Sequence, residues 1–123
     1  MNPIIYDDHK AKSCRDIITK VVSGELDAAT SFLTWDEIVY ALKKLLEADI
    51  AKKEGEKFIN LPNLEFIKVD RAIILKAQDF IAKYSIDPRD AIHAATAIVR
   101  GANEIISDDS DFDKIKELAR IKP

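Results

Sequence analysis

The sequence predicts an α/β domain in three layers, a parallel sheet between two layers of helices, and three observations predict it. Apolar residues recur at spacings of three and four in several stretches, the mark of amphipathic helices. Short apolar runs of strand length lie between them, at 28–33, 64–69 and 104–107. Acids stand directly after these runs or in the first turn of the next helix, the rim where open parallel sheets keep their sites. Strands alternating with helices then give the layered α/β/α arrangement.

Taken in order, residues 8–23 place Ala11, Cys14, Ile17, Ile18, Val21 and Val22 on one helical stripe, and Gly24 stands at the C-cap position. Residues 28–33 read as a buried strand. A helix from Trp35 to about Asp49 follows, with Ile38, Leu42, Leu45 and Leu46 inward, and Lys52–Ile59 reads as a short helix broken near Gly55. Leu64–Val69 is the next strand. Asp70 is a good N-cap for a helix over 71–84 whose stripe is Ile73, Ile74, Ala77, Phe80, Ile81 and Tyr84. Asp87 caps the helix 88–100, with Pro88 at its first position, and its many Ala and Ile residues suit close packing on a sheet. Gly101 ends that helix, Glu104–Ser107 is a strand, 110–119 a last helix, and Arg120–Lys122 a short edge strand.

A chain of 123 residues is one domain with room for a core. Its apolar fraction of 47% and charged fraction of 33% are those of a soluble globular protein. A single cysteine, Cys14, excludes an internal disulfide and a cysteine zinc cage. No apolar stretch approaches a membrane span and no signal-peptide pattern opens the chain, so the expected location is the cytoplasm. The net charge of −3 advertises no positive field for nucleic acid. Enzymes that cut phosphodiesters through metals nevertheless carry acidic sites that the ions neutralise.

The acids have plain explanations as well as chemical ones. Glu37 lies three residues after Thr34, the capping-box spacing. Asp90 lies three after Asp87, where the helix dipole favours an acid. Asp109 or Ser110 suits the cap of the last helix. Their joint placement carries more: Glu37 follows one strand, Asp109 and Asp111 another, and Asp90 opens the helix leading to the latter. In a parallel sheet these positions share a rim, and an acidic rim without a basic partner is costly unless a cation fills it. Carboxylates of Glu37, Asp90 and Asp109 are expected roughly 4–8 Å apart around Mg²⁺ or Mn²⁺. His93, one turn beyond Asp90, and Cys14 read as packed core residues, and Trp35 and Phe112 as the packing of the site rim. Arg89, Lys43 and Lys44 are available to a phosphate backbone, although exposed basic residues are usually just solvated surface.

Three blocks carry a resemblance: Thr30-Ser31-Phe32-Leu33-Thr34-Trp35-Asp36-Glu37-Ile38, Asp90-Ala91-Ile92-His93-Ala94-Ala95-Thr96-Ala97, and Ile106-Ser107-Asp108-Asp109-Ser110-Asp111-Phe112-Asp113. The segment Leu61-Pro62-Asn63-Leu64-Glu65-Phe66 adds to them. Together they resemble the PIN-domain family of metal-dependent nucleases, especially the small VapC-type toxins, over nearly the whole chain. The resemblance implies a PIN-like fold and RNA cleavage with one or two Mg²⁺ or Mn²⁺ ions held by four acids. Carried over by motif, Glu37 is the second acid, Asp90 the third and Asp109 the fourth, with Asp111 supporting. It also implies a homodimer and a cognate antitoxin protein.

The departure is at the start. The family opens on an apolar strand ending in Asp, and Asn2-Pro3-Ile4-Ile5-Tyr6 looks like the portion just after that acid. Residues 1–123 are therefore expected to be one PIN-like domain shortened at its N-terminus, and so a weak nuclease. Asp7 is the alternative first acid, while Asp8 suits a helix N-cap. The main rival reading is a non-catalytic PIN-like interaction module that lost the full acid set. A receiver-like phosphoacceptor domain is a third, but it needs a Lys after a late strand that is not found.

Overall fold

The computed structural model describes residues 16–123. Asp7, Asp8, Ala11 and Cys14, with the questions of a first acid and of how the first helix begins, lie outside the described residues. The chain forms two compact units, the first ending at Phe66 and the second running from Ile67 to Pro123.

In the first unit residues 16–22 are helical (α1) and buried at Val21, while Val22, placed inward by its spacing, is exposed. Gly24 closes the helix at φ +82°, and Asn63 donates from Nδ2 to the Val22 carbonyl at 2.8 Å. Strand β1 (Ala28–Ser31) pairs with β2 (Leu64–Ile67). Helix α2 (Phe32–Leu45) starts without a gap after β1, its N-cap Ser31 making no side-chain capping bond. The capping box expected from Thr34 and Glu37 is therefore absent. Thr34 is already inside the helix, buried, with its hydroxyl 2.7 Å from that of Thr30. Leu42 is buried, but Leu45 and Leu46, expected inward, are exposed where the helix ends.

Helix α3 (Ala48–Ile59) runs unbroken through Gly55, which the sequence reading took for a breaker. Gly55 is instead a point of close approach. A Cβ there would lie 2.8 Å from Val39 Cγ2 and 3.3 Å from Trp35 Nε1. The hydrogen that replaces a side chain lets α2 and α3 pack backbone against side chain. Phe66 stacks on Phe32 at 5.5 Å between ring centroids and meets Phe58 edge-on at 5.2 Å, an aromatic cluster beside β2.

In the second unit α4 (Arg71–Tyr84) has the bounds its sequence predicts, because both ends are set locally. The Asp70 carboxylate accepts from the Ile73 amide at 3.0 Å, and Ser85 stops the helix in the left-handed region at φ 54°. Ile73, Ala77 and Phe80 are buried, while Ile74 of the expected stripe is exposed. Helix α5 (Pro88–Val99) carries Pro88 at its start, and Asp87 holds the N-cap position without a side-chain bond. Gly101 at φ +88° turns the chain out of it. Ala91, Ala94 and Ala95 are fully buried, so α5 packs closely against α4 over small residues, with Phe80, Ile73 and Ile115 filling the core. Each such large side chain contributes roughly 2 kcal/mol through burial.

Strand β3 (Glu104–Ile106) pairs in parallel with β4 (Ala119–Ile121), Glu104 opposite Ala119 and Ile106 opposite Ile121. The helix expected over 110–119 is not there: a 3-10 helix (Ser110–Lys114) takes its place, and the chain then extends into β4. Tyr84 ties the end of α4 to this segment by donating to Glu117 Oε1 at 2.5 Å, which holds the Glu117 carboxyl below its usual value. Among the described residues no helix is long and apolar enough to cross a membrane.

Candidate metal centre

Two elements of the second unit bring three acids together. Asp90 sits in the first turn of α5, and Asp109 and Asp111 lie in the segment that leaves β3. One carboxylate oxygen from each lies within 4.8 Å of the other two. All three side chains are half-buried.

The local sequence makes this arrangement. Ser107 accepts the Asp109 amide on its hydroxyl at 3.0 Å, and Asp109 Oδ1 in turn accepts the Asp111 amide at 2.9 Å. Two successive side-chain-to-backbone turns thus curl the chain just beyond the strand, as Ser and Asp do. Phe112, between Asp111 and Asp113, is buried in the core and anchors the curl from below. Lys114 Nζ reaches Asp111 Oδ1 at 3.4 Å, both groups about half exposed, so the pair is weak and easily exchanged.

Electrostatics in the cluster are unfavourable in the absence of a cation. The Asp90 carboxyl is pushed up to about 6 from an ordinary 3.8, first by burial and then by the negative charges of Asp109, Asp87 and Asp111, with His93 acting in the opposite direction. A cation among the three oxygens reverses that repulsion. A donor set made only of carboxylate oxygens fits hard divalent ions such as Mg²⁺ or Mn²⁺ better than zinc. The residues present fit the group.

Glu37 lies half-buried in the second turn of α2, in the first unit, directly downstream of β1. His93 faces the charge of Asp90 from one turn along α5. Arg89, Lys43 and Lys44 are exposed. Sequence reasoning missed Ser107, Lys114 and Arg120. Ser107 had a signal, a hydroxyl residue two before an Asp. Arg120 had none, since its contacts come from a separate strand.

A half-buried carboxylate cluster thus lies beyond a strand end on an α/β scaffold. The PIN domain model matches residues 2–118, across both units, and the chain belongs to the PIN domain family. Its structure is similar to that of VapBC-1 from nontypeable Haemophilus influenzae, with a TM-score of 0.68, 20% identity and coverage of 93% of this chain and 90% of that one. It is similar to VapBC2 from Rickettsia felis, solved bound to a DNA fragment from its promoter, at TM-score 0.64, 16% identity and 87% and 93% coverage. It is also similar to a chain of a toxin-antitoxin complex from Klebsiella pneumoniae, at TM-score 0.60, 24% identity and 76% and 72% coverage. A comparison with curated proteins gives no significant match. The fold is the α/β, PIN-like one that the sequence led us to expect.

Proposed function

We propose that this chain is a metal-dependent ribonuclease, the toxin of a VapBC-type toxin-antitoxin pair. The observation that carries the reading is the convergence of Asp90, Asp109 and Asp111 to within 4.8 Å. Membership of a family whose domains are generally nucleases supports it, as does the likeness to VapBC structures.

In this reading Asp90, Asp109 and Asp111 hold Mg²⁺ or Mn²⁺, and Glu37, carried over by motif alone, is a further catalytic acid. The bound ion supplies positive charge against the negative charge that builds on a scissile phosphate. The protein's own work is positional. The Ser107 and Asp109 turns fix the acid segment, and α5 presents Asp90 from its first turn, where partial burial strengthens its grip on a cation. Arg89, exposed beside Asp90, is available to a neighbouring phosphate of single-stranded RNA. A small antitoxin protein would be the cognate partner, and the active form a homodimer, on the analogy of the toxin-antitoxin neighbours and the family.

Single-stranded RNA incubated with the protein in millimolar Mn²⁺ is the test. Weak cleavage should appear with Mn²⁺, vanish with chelator, and be lost on Asp90→Asn and on Glu37→Gln. Retained cleavage in Asp90→Asn would remove the acid from the mechanism. No cleavage at any Mn²⁺ concentration, with antitoxin binding intact, would favour the interaction-module reading.

A further inference from the structure

Four acids crowd the segment after β3, namely Asp108, Asp109, Asp111 and Asp113, yet only Asp109 and Asp111 join Asp90. Asp113 is held apart by Arg120 of β4. The guanidinium makes a two-pronged contact, Nε to Oδ1 at 2.9 Å and Nη2 to Oδ2 at 3.1 Å, and Nη1 donates to the Ser107 carbonyl at 3.3 Å. Next along β4, the Ile121 carbonyl accepts the Ser107 amide at 3.0 Å. The start of the acid segment at Ser107 and its far side at Asp113 are thus both pinned to one strand, with Asp109 and Asp111 between.

We propose that Arg120 is the positioning residue of the carboxylate cluster: it spans Ser107 and Asp113 so that the segment between them presents Asp109 and Asp111 to Asp90. The proposal rests on the reading of that cluster as a cation site. Two observations carry it. The Arg120 side chain is only 13% exposed although its partner Asp113 is 55% exposed, so its pose is set by packing as well as by the ion pair. Its planar fork matches a carboxylate in two places, which a lysine cannot do.

The charge of Arg120 makes the proposal separable from simple electrostatics. Arg120 places positive charge near Asp109, which opposes a cation. If charge were its whole effect, removing it would tighten metal binding; if it positions the acids, removing it loosens binding. Arg120→Gln should weaken Mn²⁺ binding about tenfold, the low end for residues that orient metal ligands. Arg120→Lys keeps the charge but loses the fork, and should also weaken binding. Asp113→Asn combined with Arg120→Gln should weaken it no further than Arg120→Gln alone.

Mn²⁺ affinity is read by electron paramagnetic resonance on folded protein, well below each variant's melting temperature, with Asp90→Asn as the control that abolishes the site. Weaker binding in both Arg120 variants is the expected result. Unchanged or tighter binding in both, with the wild type binding normally, overturns the positioning role and leaves the metal reading intact. No binding by the wild type itself overturns the metal reading, and the proposal with it. Should Arg120→Gln fail to fold, Arg120→Lys carries the same expectation and the same refutation.

Discussion

At the scale of single residues, Asp90 is held against its own preference. Burial and the charges of Asp109, Asp87 and Asp111 raise its carboxyl to about 6. Between about pH 4 and pH 6 the folded chain therefore binds more protons at this group than the unfolded chain does, and the stability of the metal-free protein falls as pH rises through that window. Asp90 is only partly buried, so the penalty is smaller than the full shift would suggest, about 1.5 kcal/mol once solvent screening is counted. The favourable interaction of a first-turn acid with the helix dipole, about 0.5 kcal/mol, offsets part of it. Asp90→Asn should thus stabilise the metal-free protein by about 1 kcal/mol at pH 7 and flatten the pH dependence. Urea unfolding in chelator at pH 4.5 and pH 7 checks both. A destabilised Asp90→Asn protein would mean that the carboxylate is a structural cap rather than a group held ready for a cation. Such a site stores repulsion that its ligand relieves.

At the scale of elements, the contrast between α3 and α4 shows what a sequence can reveal. Helix α4 was legible to the residue because its signals are local, an Asp70 cap and a run of good helix formers. Gly55 was misread as a break because the reason for it lies on another helix, in Val39 and Trp35. Gly55→Ala should gain about 1 kcal/mol of helix propensity. The 2.8 Å approach of its Cβ to Val39 costs more, roughly 1–3 kcal/mol for overpacking. A lower melting temperature is the expected net result, and Gly55→Ala combined with Val39→Ala should recover much of the loss. A rise in melting temperature for Gly55→Ala alone would contradict the close packing.

The segment 110–119 teaches the same lesson from the other side. Phe112, Ile115 and Leu118 recur at a spacing of three, and all three are buried. A spacing of three serves a 3-10 turn as well as an α-helix. What decided the outcome was the non-local pairing of Ala119–Ile121 with β3, which no local pattern announces. The grouping of Asp90 with Asp109 and Asp111 was legible because residue types at a helix start and after a strand are local facts. The Arg120 clamp that spans them was not, for the same reason as the pairing.

At the scale of the whole molecule, an acidic chain of net charge −3 adds to its own repulsion by gathering three carboxylates, and the proposed divalent cation would give that gathering a purpose. A ligand that binds only the folded state adds about 2.7 kcal/mol of stability at a hundred times its Kd. Calorimetric titration of Mn²⁺ into residues 1–123 at pH 7 tests this most directly, beside the Asp90→Asn and Asp109→Asn variants. The account predicts saturable binding by the wild type, much weaker in each variant, with a matching rise in melting temperature only where the ion binds. Absence of binding by the wild type, or equal binding by all three proteins, would contradict it.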